Sequence, residues 1–434
     1  MSSAGQEGVP GFSVDVDHNP YLPEGSGTVD AIVSITVGSD TAVDAAPTER
    51  VEAIIVDCST SMLKPAGKFD GAKRATAAAI DELSDGTYFI VVAGTASAAP
   101  VYPLDGVPTR ANAATKAEAA RVVDGLWPNG GTAMGTWLAY VRDIVGQYPG
   151  ALTHAILLTD GKDEHETPEQ LQQEIALSVG RFTCDCRGVG TAWRVDELRS
   201  ISSALMGTVD IVADADDLAE DFAAMMRTSM GKSIPDLTLR VWTPAGATVE
   251  FVKQVAPTVE DLTHRRVEVS GQIGEYSLGS WGAEDRDYHV QVAVEPAAAG
   301  KEKLAARMTV VAGDQVLGQG LVNALWTAEV ALSARINRRV AHYTGQAELA
   351  DAVQQGLAAR RDGDVATATA KLQRAMELAV ESGNDDKVAE LGKVIDVDER
   401  TGTARLKREV AAADEMALDA RSTKTARVRK ENPA

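Results

Sequence analysis

The sequence has no long apolar run and no apolar leader. No window in the 434 residues approaches the run of roughly 18 apolar residues that a membrane-spanning helix needs. The first eight residues, Met1–Gly8, carry neither the basic flank nor the apolar stretch of a secretory signal. We therefore predict a chain without membrane contact and expect it in the cytoplasm.

Cysteine is also scarce, with three residues in the whole chain. Cys184 and Cys186 are separated by one residue inside a predicted strand, which is too close for an easy bridge. No disulfide framework is indicated, and this agrees with a reducing compartment. The apolar fraction of 44% and the charged fraction of 24% are typical of a globular protein that is stabilised by hydrophobic cores.

Basic residues are outnumbered by acidic ones. Lys and Arg total 42 against 63 Asp and Glu, so the formal net charge is −21. A field of that sign repels phosphate groups, which argues against nucleic-acid binding and favours cations and basic protein surfaces. The segment Arg421–Lys430 is the exception, since it carries five basic residues and no acid. We interpret residues 421–434 as a basic disordered tail; the alternative is a docking element with phosphorylation at Thr423 and Thr425.

The sequence pattern of residues 48–232 predicts an α/β domain. Short apolar runs alternate with alanine-rich helical stretches, which is the pattern of a parallel sheet covered by helices. The predicted strands are Val51–Val56, Tyr88–Ala93, Ala155–Thr159, Phe182–Gly190 and Val209–Ala213. The predicted helices are Gly67–Leu83, Ala111–Asp124, Thr132–Gln147, Pro168–Val179 and Val195–Leu205.

The flanking regions have a different pattern. Residues 1–47 and 233–325 contain alternating β-branched stretches such as Val29–Val37 and Tyr288–Val294, which predict antiparallel strands. Because the amino-terminal strands are too few for a stable sheet, we expect them to complete the later β-sandwich, with the α/β domain inserted between. The alternative is a separate hairpin packed on the α/β domain. Residues 326–420 are rich in helix formers and predict a helical arm.

Hydroxyl and carboxylate side chains follow the predicted parallel strands. Asp57, Ser59 and Ser61 come directly after the first strand, and Asp160 follows the third; Thr132 ends a glycine-rich connection. Ligands of parallel α/β sheets bind beyond the carboxyl ends of the strands, where these side chains would converge. Oxygen donors of this kind suit Mg²⁺ or Mn²⁺ rather than zinc. The alternative is that the hydroxyls only cap helices and the aspartates only bind loop amides.

Three segments together carry a resemblance to a known family. Asp57-Cys58-Ser59-Thr60-Ser61, Gly130-Gly131-Thr132 and Thr159-Asp160-Gly161 resemble the complete metal-ion-dependent adhesion site, or MIDAS, of von Willebrand factor type A domains. The resemblance covers about residues 48–230 and implies a Rossmann-like, doubly wound α/β fold. One departure is Gly94, where many relatives carry an aromatic residue.

The resemblance implies a function in binding. In the family, the residues at these positions bind the ion directly or through water and leave one position for a partner's carboxylate; here they are Asp57, Ser59, Ser61, Thr132 and Asp160. We therefore expect a non-enzymatic, metal-dependent adaptor that binds an acidic residue of a protein partner. Similar bacterial proteins, especially actinobacterial ones, tend to be encoded near serine/threonine kinases, phosphatases and forkhead-associated modules, which implies a role in signalling assemblies. The sequence does not indicate an oligomeric state.

Two other functions remain open at this point. One is a substrate-recognition partner of a MoxR-like or chelatase-like AAA+ ATPase, and the other is a metal-dependent phosphoester hydrolase. No second carboxylate cluster or general base follows matching strands, which argues against the hydrolase. We expect Cys58 to be an inert thiol and His165 to lie on a solvated rim, with Trp127 a docking contact if it is exposed.

Overall fold

The structure, a computed structural model, describes residues 11–39, 49–335, 337–398 and 404–427. The described residues form two compact units. The sandwich unit takes those of Met1–Asp44, Asp236–Val410 and Ser422–Ala434, and the α/β unit takes those of Ala45–Pro235 and Ala411–Arg421. The α/β unit is therefore inserted within the sequence of the sandwich unit. No helix among these residues is both long and apolar enough to cross a lipid bilayer.

The chain begins with three strands of the sandwich unit. They are β1 (Phe12–His18), β2 (Tyr21–Pro23) and β3 (Thr28–Val37). β3 pairs with a neighbouring strand along each edge, and its side chains are buried along most of its length. This explains its nearly continuous apolar sequence.

The α/β unit contains seven strands and six helices in its first segment. The strands are β4 (Arg50–Asp57), β5 (Tyr88–Gly94), β6 (Ala98–Tyr102), β7 (Thr109–Arg110), β8 (Leu152–Thr159), β9 (Thr183–Val189) and β10 (Val209–Val212). The helices are α1 (Lys68–Asp81), α2 (Ala113–Asp124), α3 (Met134–Val145), α4 (Pro168–Ser178), α5 (Val195–Ala204) and α6 (Leu218–Met230).

One sheet organises the α/β unit, in the strand order β10-β9-β8-β4-β5-β6. The strands from β10 to β5 are parallel, while β6 and β7 pair antiparallel with β5. Alternate residues of β4 face opposite layers: Val51, Ala53 and Ile55 pack with α3, α4 and α5. Ile54 and Val56 pack with α1, α2 and α6. Because β4 and β8 pair in parallel, their carboxyl ends lie side by side.

Eight further strands complete the two sheets of the sandwich. They are β11 (Thr238–Trp242), β12 (Ala247–Ala256), β13 (Glu260–Asp261), β14 (Val267–Ser270), β15 (Ile273–Ser277), β16 (Asp285–Val294), β17 (Glu302–Ala312) and β18 (Gln315–Thr327). One sheet has the order β1-β3-β16-β12-β13 and the other β14-β15-β11-β17-β18-β2. The amino-terminal strands thus complete the later sheets, as expected from their small number. Tyr276, Tyr288 and Trp326 are fully buried.

Helices follow the sandwich. They are α7 (Val330–Ser333), α8 (Arg338–Arg361), α9 (Val365–Glu381) and α10 (Asp385–Gly392), followed by the hairpin of β19 (Ile395–Val397) and β20 (Ala404–Leu406) and by α11 (Ala412–Ala420). α11 belongs to the α/β unit and not to the helical arm. Asp419 accepts a bond from Arg199 at 2.6 Å, and Ala420 joins the core beneath α5.

The interpretation of residues 421–434 as disordered is wrong for residues 421–427. Arg421 pairs with Asp210 at 2.8 Å within the α/β unit. Arg427 pairs with Asp287 at 2.9 Å within the sandwich unit, and the hydroxyl of Thr425 donates to the carbonyl of Val255 at 2.7 Å. The acidic partners lie more than a hundred residues away in sequence, so local composition did not reveal them. Residues 428–434 lie outside the described residues.

Candidate metal centre

Three loops of the α/β unit place the five predicted ligands. Asp57 is the last residue of β4, and a 3₁₀ turn, Thr60–Leu63, follows it. Asp160 comes directly after β8, and Thr132 stands two residues before α3. Because β4 and β8 are parallel neighbours, both aspartates emerge at one edge of the sheet.

Four of the five residues form one chain of hydrogen bonds. The backbone N–H of Ser59 donates to Asp57 Oδ1 at 2.7 Å. Ser59 Oγ lies 2.7 Å from Ser61 Oγ, which in turn donates to Asp160 Oδ1 at 2.7 Å. The other oxygen of Asp57 accepts from the hydroxyl of Thr159. The turn after β4 therefore points its hydroxyls at the carboxylate of the neighbouring strand.

Gly161 shows that the fifth residue, Thr132, faces the same space. A Cβ atom added to Gly161 would lie 3.1 Å from Thr132 Oγ1, 3.4 Å from Ser61 Oγ and 3.8 Å from Asp57 Oδ2. Oxygens from two loops thus face one point beside this glycine, which belongs to the third loop. A larger residue there would crowd that point, which explains the glycine after Asp160.

The site is buried at its base and reached from one side. Asp57 and Asp160 are fully buried, Ser59 and Thr132 are nearly so, and Ser61 is exposed. Burial raises the pKa of Asp57 to about 6, while hydrogen bonds from Ser59 and Thr159 act in the opposite direction. A buried carboxylate of this kind is stabilised in its charged form by a nearby cation.

The donor set fits a small, hard cation. It consists of two carboxylates and three hydroxyls, which are the oxygen ligands that Mg²⁺ and Mn²⁺ prefer. Within the described ranges, no group of three or more His, Cys, Asp or Glu side chains is placed to hold a metal. An ion at this sheet edge would therefore need the hydroxyls as well as the aspartates.

The loop after Asp160 supports the glycine-rich connection, which the sequence did not reveal. The Nδ1 atom of His165 accepts from the backbone N–H of Thr132 at 3.2 Å. The ring of His165 also lies so close to Gly131 that a Cβ there would come within 1.9 Å of it. His165 is exposed, as expected for a rim residue, but it also fixes the backbone that carries Thr132.

Two acids of the same loop bind the first turn of α3, where no side chain caps the helix. Asp163 Oδ2 accepts from the N–H of Met134 at 3.0 Å, and Glu166 accepts from the N–H of Gly135. Burial and the neighbouring Glu166 raise the pKa of Asp163 to about 9. These acids therefore hold α3 against the loop that carries Asp160.

Comparison with known proteins identifies the family. Residues 53–211 match the von Willebrand factor type A domain, and residues 377–422 match the von Willebrand factor type A C-terminal domain. The solved structure of a von Willebrand factor type A protein from Catenulispora acidiphila is 49% identical, covers 98% of this chain and 100% of that chain, and superposes with a TM-score of 0.93. The chain belongs to the von Willebrand factor type A family.

A more distant structure shows the fold alone. VWA2, the ArnB paralog from Sulfolobus acidocaldarius, is 12% identical, covers 95% of this chain and 98% of that chain, and has a TM-score of 0.58. Proximal thread matrix protein 1 of the mussel byssus, solved with a zinc-occupied MIDAS motif, is 18% identical over 44% of this chain and 50% of that chain. Its TM-score of 0.35 is too low to support an argument about this chain. No curated protein is significantly similar to the chain.

The departure at Gly94 has a packing reason in this type A domain. A Cβ at Gly94 would lie 2.5 Å from the indole of Trp137, a fully buried residue of α3. Trp137 also donates from Nε1 to the carbonyl of Thr95 at 2.7 Å. An aromatic ring is therefore present beside the second strand of the sheet, but α3 supplies it.

The remaining sequence candidates lie in or beside the type A domain. They do not belong to the oxygen cluster, which consists of Asp57, Ser59, Ser61, Thr132 and Asp160. Burial raises the pKa of the Cys58 thiol to about 12, so the thiol stays protonated and unreactive near neutral pH. Cys184 and Cys186 are buried in the core, with their sulfur atoms 4.0 Å apart. Trp127, in contrast, is 75% exposed.

Proposed function

We propose that this chain is a metal-dependent protein-interaction adaptor. Asp57, Ser59, Ser61, Thr132 and Asp160 would hold one Mg²⁺ or Mn²⁺ ion, directly or through water, and the ion would accept a carboxylate from a protein partner. The observation that carries the proposal is that oxygens of Thr132, Ser61 and Asp57 converge beside Gly161, while Ser61 also bonds to Ser59 and Asp160. Type A domains typically mediate protein interactions, which supports a function in binding.

The protein would orient the ligands of the ion and keep water away from the buried base of the site. The hydrogen bonds from Ser59 N–H and from Thr159 hold both oxygens of Asp57 in place. His165 holds the backbone of Thr132. Since these contacts already orient Asp57 and Thr132, their backbone would need little rearrangement to hold an ion.

An apolar rim beside the site supports contact with a protein rather than with a small anion. The loop that carries Trp127 lies against the motif: the N–H of Asn129 donates to the carbonyl of Cys58 at 2.7 Å, and the N–H of Thr60 donates to the carbonyl of Gly130 at 3.0 Å. Leu63, in the 3₁₀ turn, is 40% exposed. Exposed aromatic residues of this kind are common hot spots of protein interfaces.

Charge further restricts the partner. The net charge of −21 repels a broadly acidic protein at long range, while an ion at the site attracts a carboxylate within about 8 Å at physiological salt. We therefore propose a partner with one acidic residue on an otherwise basic or neutral surface. Signalling assemblies of the cytoplasm are the proposed setting, with the three free, buried cysteines in support of a reducing compartment.

Affinity capture from native lysate, with wild type and Asp57→Ala, tests the proposal. A true partner is retained by the wild type in Mg²⁺, is released by chelator and is not retained by the variant. Its binding is then lost when its own contact carboxylate is replaced by an amide. A protein retained equally by both forms, or in chelator, contradicts the proposal. Magnesium-dependent phosphatase activity lost in Asp57→Ala would instead favour a hydrolase.

A further inference from the structure

Lys68 is a buried lysine beside the candidate metal centre. It is the first residue of α1 and only 7% exposed, whereas lysine is almost never buried unless it is paired. Its ammonium group pairs with Asp160 Oδ2 and also donates to the backbone carbonyl of Ser61 at 3.3 Å. Both contacts are to residues of the oxygen cluster.

The position of Lys68 is not explained by the needs of its helix. The amino terminus of a helix carries partial positive charge, so a lysine in the first turn is unfavourable there. The lysine is therefore held by the site and not by α1. Its charge offsets that of Asp160, which is fully buried and would be strongly destabilising without a cationic partner.

We infer that Lys68 is a built-in counter-cation, which competes with a bound metal ion for Asp160 and makes the ion-loaded site attractive to a carboxylate. This inference rests on the proposed function. Asp57, Asp160 and Lys68 together leave one net negative charge, and a divalent ion would change this to one net positive charge. A partner's carboxylate would then neutralise the site. Without Lys68 the loaded site would be neutral, and the carboxylate would leave a buried negative charge.

The inference predicts opposite changes in two affinities, which structural damage would not produce. Replacement of Lys68 by Met or Gln is expected to tighten Mn²⁺ binding by about tenfold or more, because a like charge near the ion is removed. The same variants are expected to weaken the binding of a carboxylate to the Mn²⁺-loaded protein several-fold. Lys68→Arg keeps the charge, so both affinities are expected to stay within the same order of magnitude as in the wild type.

Titration calorimetry with MnCl₂, followed by titration of the Mn²⁺-loaded protein with sodium acetate, measures both affinities. Water-proton relaxation reports the displacement of ion-bound water by acetate. Lys73→Met is the matched control, since Lys73 lies on the same helix, pairs with Asp70 at 3.1 Å and contacts no residue of the cluster. It is expected to behave like the wild type.

The outcomes separate this inference from the proposed function. If the wild type binds Mn²⁺ and folded Lys68→Met binds it equally or more weakly, or if both affinities change in the same direction, the role of Lys68 is refuted and the metal site stands. If the wild type does not bind Mn²⁺, the metal site and the role of Lys68 both fail. Lys68→Gln serves the same test if Lys68→Met does not fold.

Discussion

The two ends of the parallel sheet carry buried polar residues of opposite character. At the amino ends of the strands, His154 of β8 lies between two acids: Nδ1 is 2.7 Å from Glu52 Oε2 on β4, and Nε2 is 3.0 Å from Asp185 Oδ2 on β9. At the carboxyl ends, Asp57 of β4 lies near Asp160, which follows β8. The same strands therefore build both clusters.

The difference lies in how each cluster is completed. Around His154, the remaining acid oxygens are also bound: Ser229 Oγ donates to Glu52 Oε1 at 2.7 Å, and the hydroxyl of Thr208 donates to Asp185 Oδ1 at 2.7 Å. This cluster is a closed network of acids, cation and donors. Around Gly161, several side-chain oxygens face one point, and oxygens gathered in this way are suited to a cation. Asp160 also has an internal cation, Lys68, but only at this end do the hydroxyls of Ser61 and Thr132 face the same point as a carboxylate, and that convergence of oxygen donors indicates binding.

The largest expected effect is the loss of metal binding at the carboxyl ends of the strands, without an effect on the His154 cluster. Ser59→Ala combined with Ser61→Ala deletes two hydroxyls of the cluster, so the calorimetric heat of Mn²⁺ or Mg²⁺ binding should disappear. Ser97→Ala is the matched control, because Ser97 is an exposed serine that follows β5 at the same sheet edge. Unchanged binding in the double variant would overturn the ligand assignment.

Disruption of the other end should reduce stability and leave the metal site intact. His154→Ala leaves the buried Glu52 and the half-buried Asp185 without their shared cation, so we expect a loss of about 3–5 kcal/mol in the free energy of unfolding. Denaturant unfolding of the full chain measures it, with the exposed His264→Ala as the control. The Mn²⁺ affinity of the folded variant should equal that of the wild type; a large change in affinity would mean that the two ends are coupled.

The pH dependence of stability should also report the His154 cluster. Glu52 and Asp185 raise the pKa of the fully buried His154 to about 9, against an ordinary value of 6.5. Because the folded pKa is the higher one, this stabilisation is complete below about pH 6.5 and is lost as the pH rises through 9, by roughly 3 kcal/mol. Unfolding curves from pH 6 to 10 test this, and His154→Ala should show a shallower decline over that range.

The smallest expected effect concerns the exposed rim at the carboxyl end. Trp127→Ala should weaken partner binding by about 1–2 kcal/mol, since an exposed tryptophan beside the site would be covered by the partner. Mn²⁺ affinity should not change. Leu104→Ala is the control, because Leu104 is 78% exposed and does not belong to the loops of the metal centre. Equal loss in both variants would remove the special role assigned to Trp127.

The sequence predicted the parallel sheet because its strands are short, apolar and followed by helices. Predicted and observed bounds of the five parallel strands agree within a few residues, and the five candidate ligands all follow from strand ends and one glycine-rich turn. The edge strands β6 and β7 and the helix α6 were missed. The edge strands are short and only partly buried, so they lack the continuous apolar run that identified the central strands.

Contacts between distant residues could not be predicted. Glu52 and His154 are 102 residues apart, and Lys68 and Asp160 are 92 apart, so neither pair leaves a local pattern. The contacts of Asp287 also leave no local pattern. Asp287 is fully buried and accepts hydrogen bonds from Tyr343 and from Arg427, which lies in the segment that was predicted to be a disordered tail. Only the fold brings these charged side chains together with their partners.

The inserted position of the α/β unit dictates an order of events during synthesis. Strand β3 ends at residue 37, but its partner β16 begins at residue 285. The ribosome makes roughly 250 residues in between, which takes about 12–50 s at typical rates. The parallel sheet is complete by residue 212, so it can form during that interval while one edge of β3 still lacks its neighbour. Nascent chains of this protein can therefore form the parallel sheet before β16 exists, whereas α11, the last element of the α/β unit, can join it only after the sandwich strands have been made.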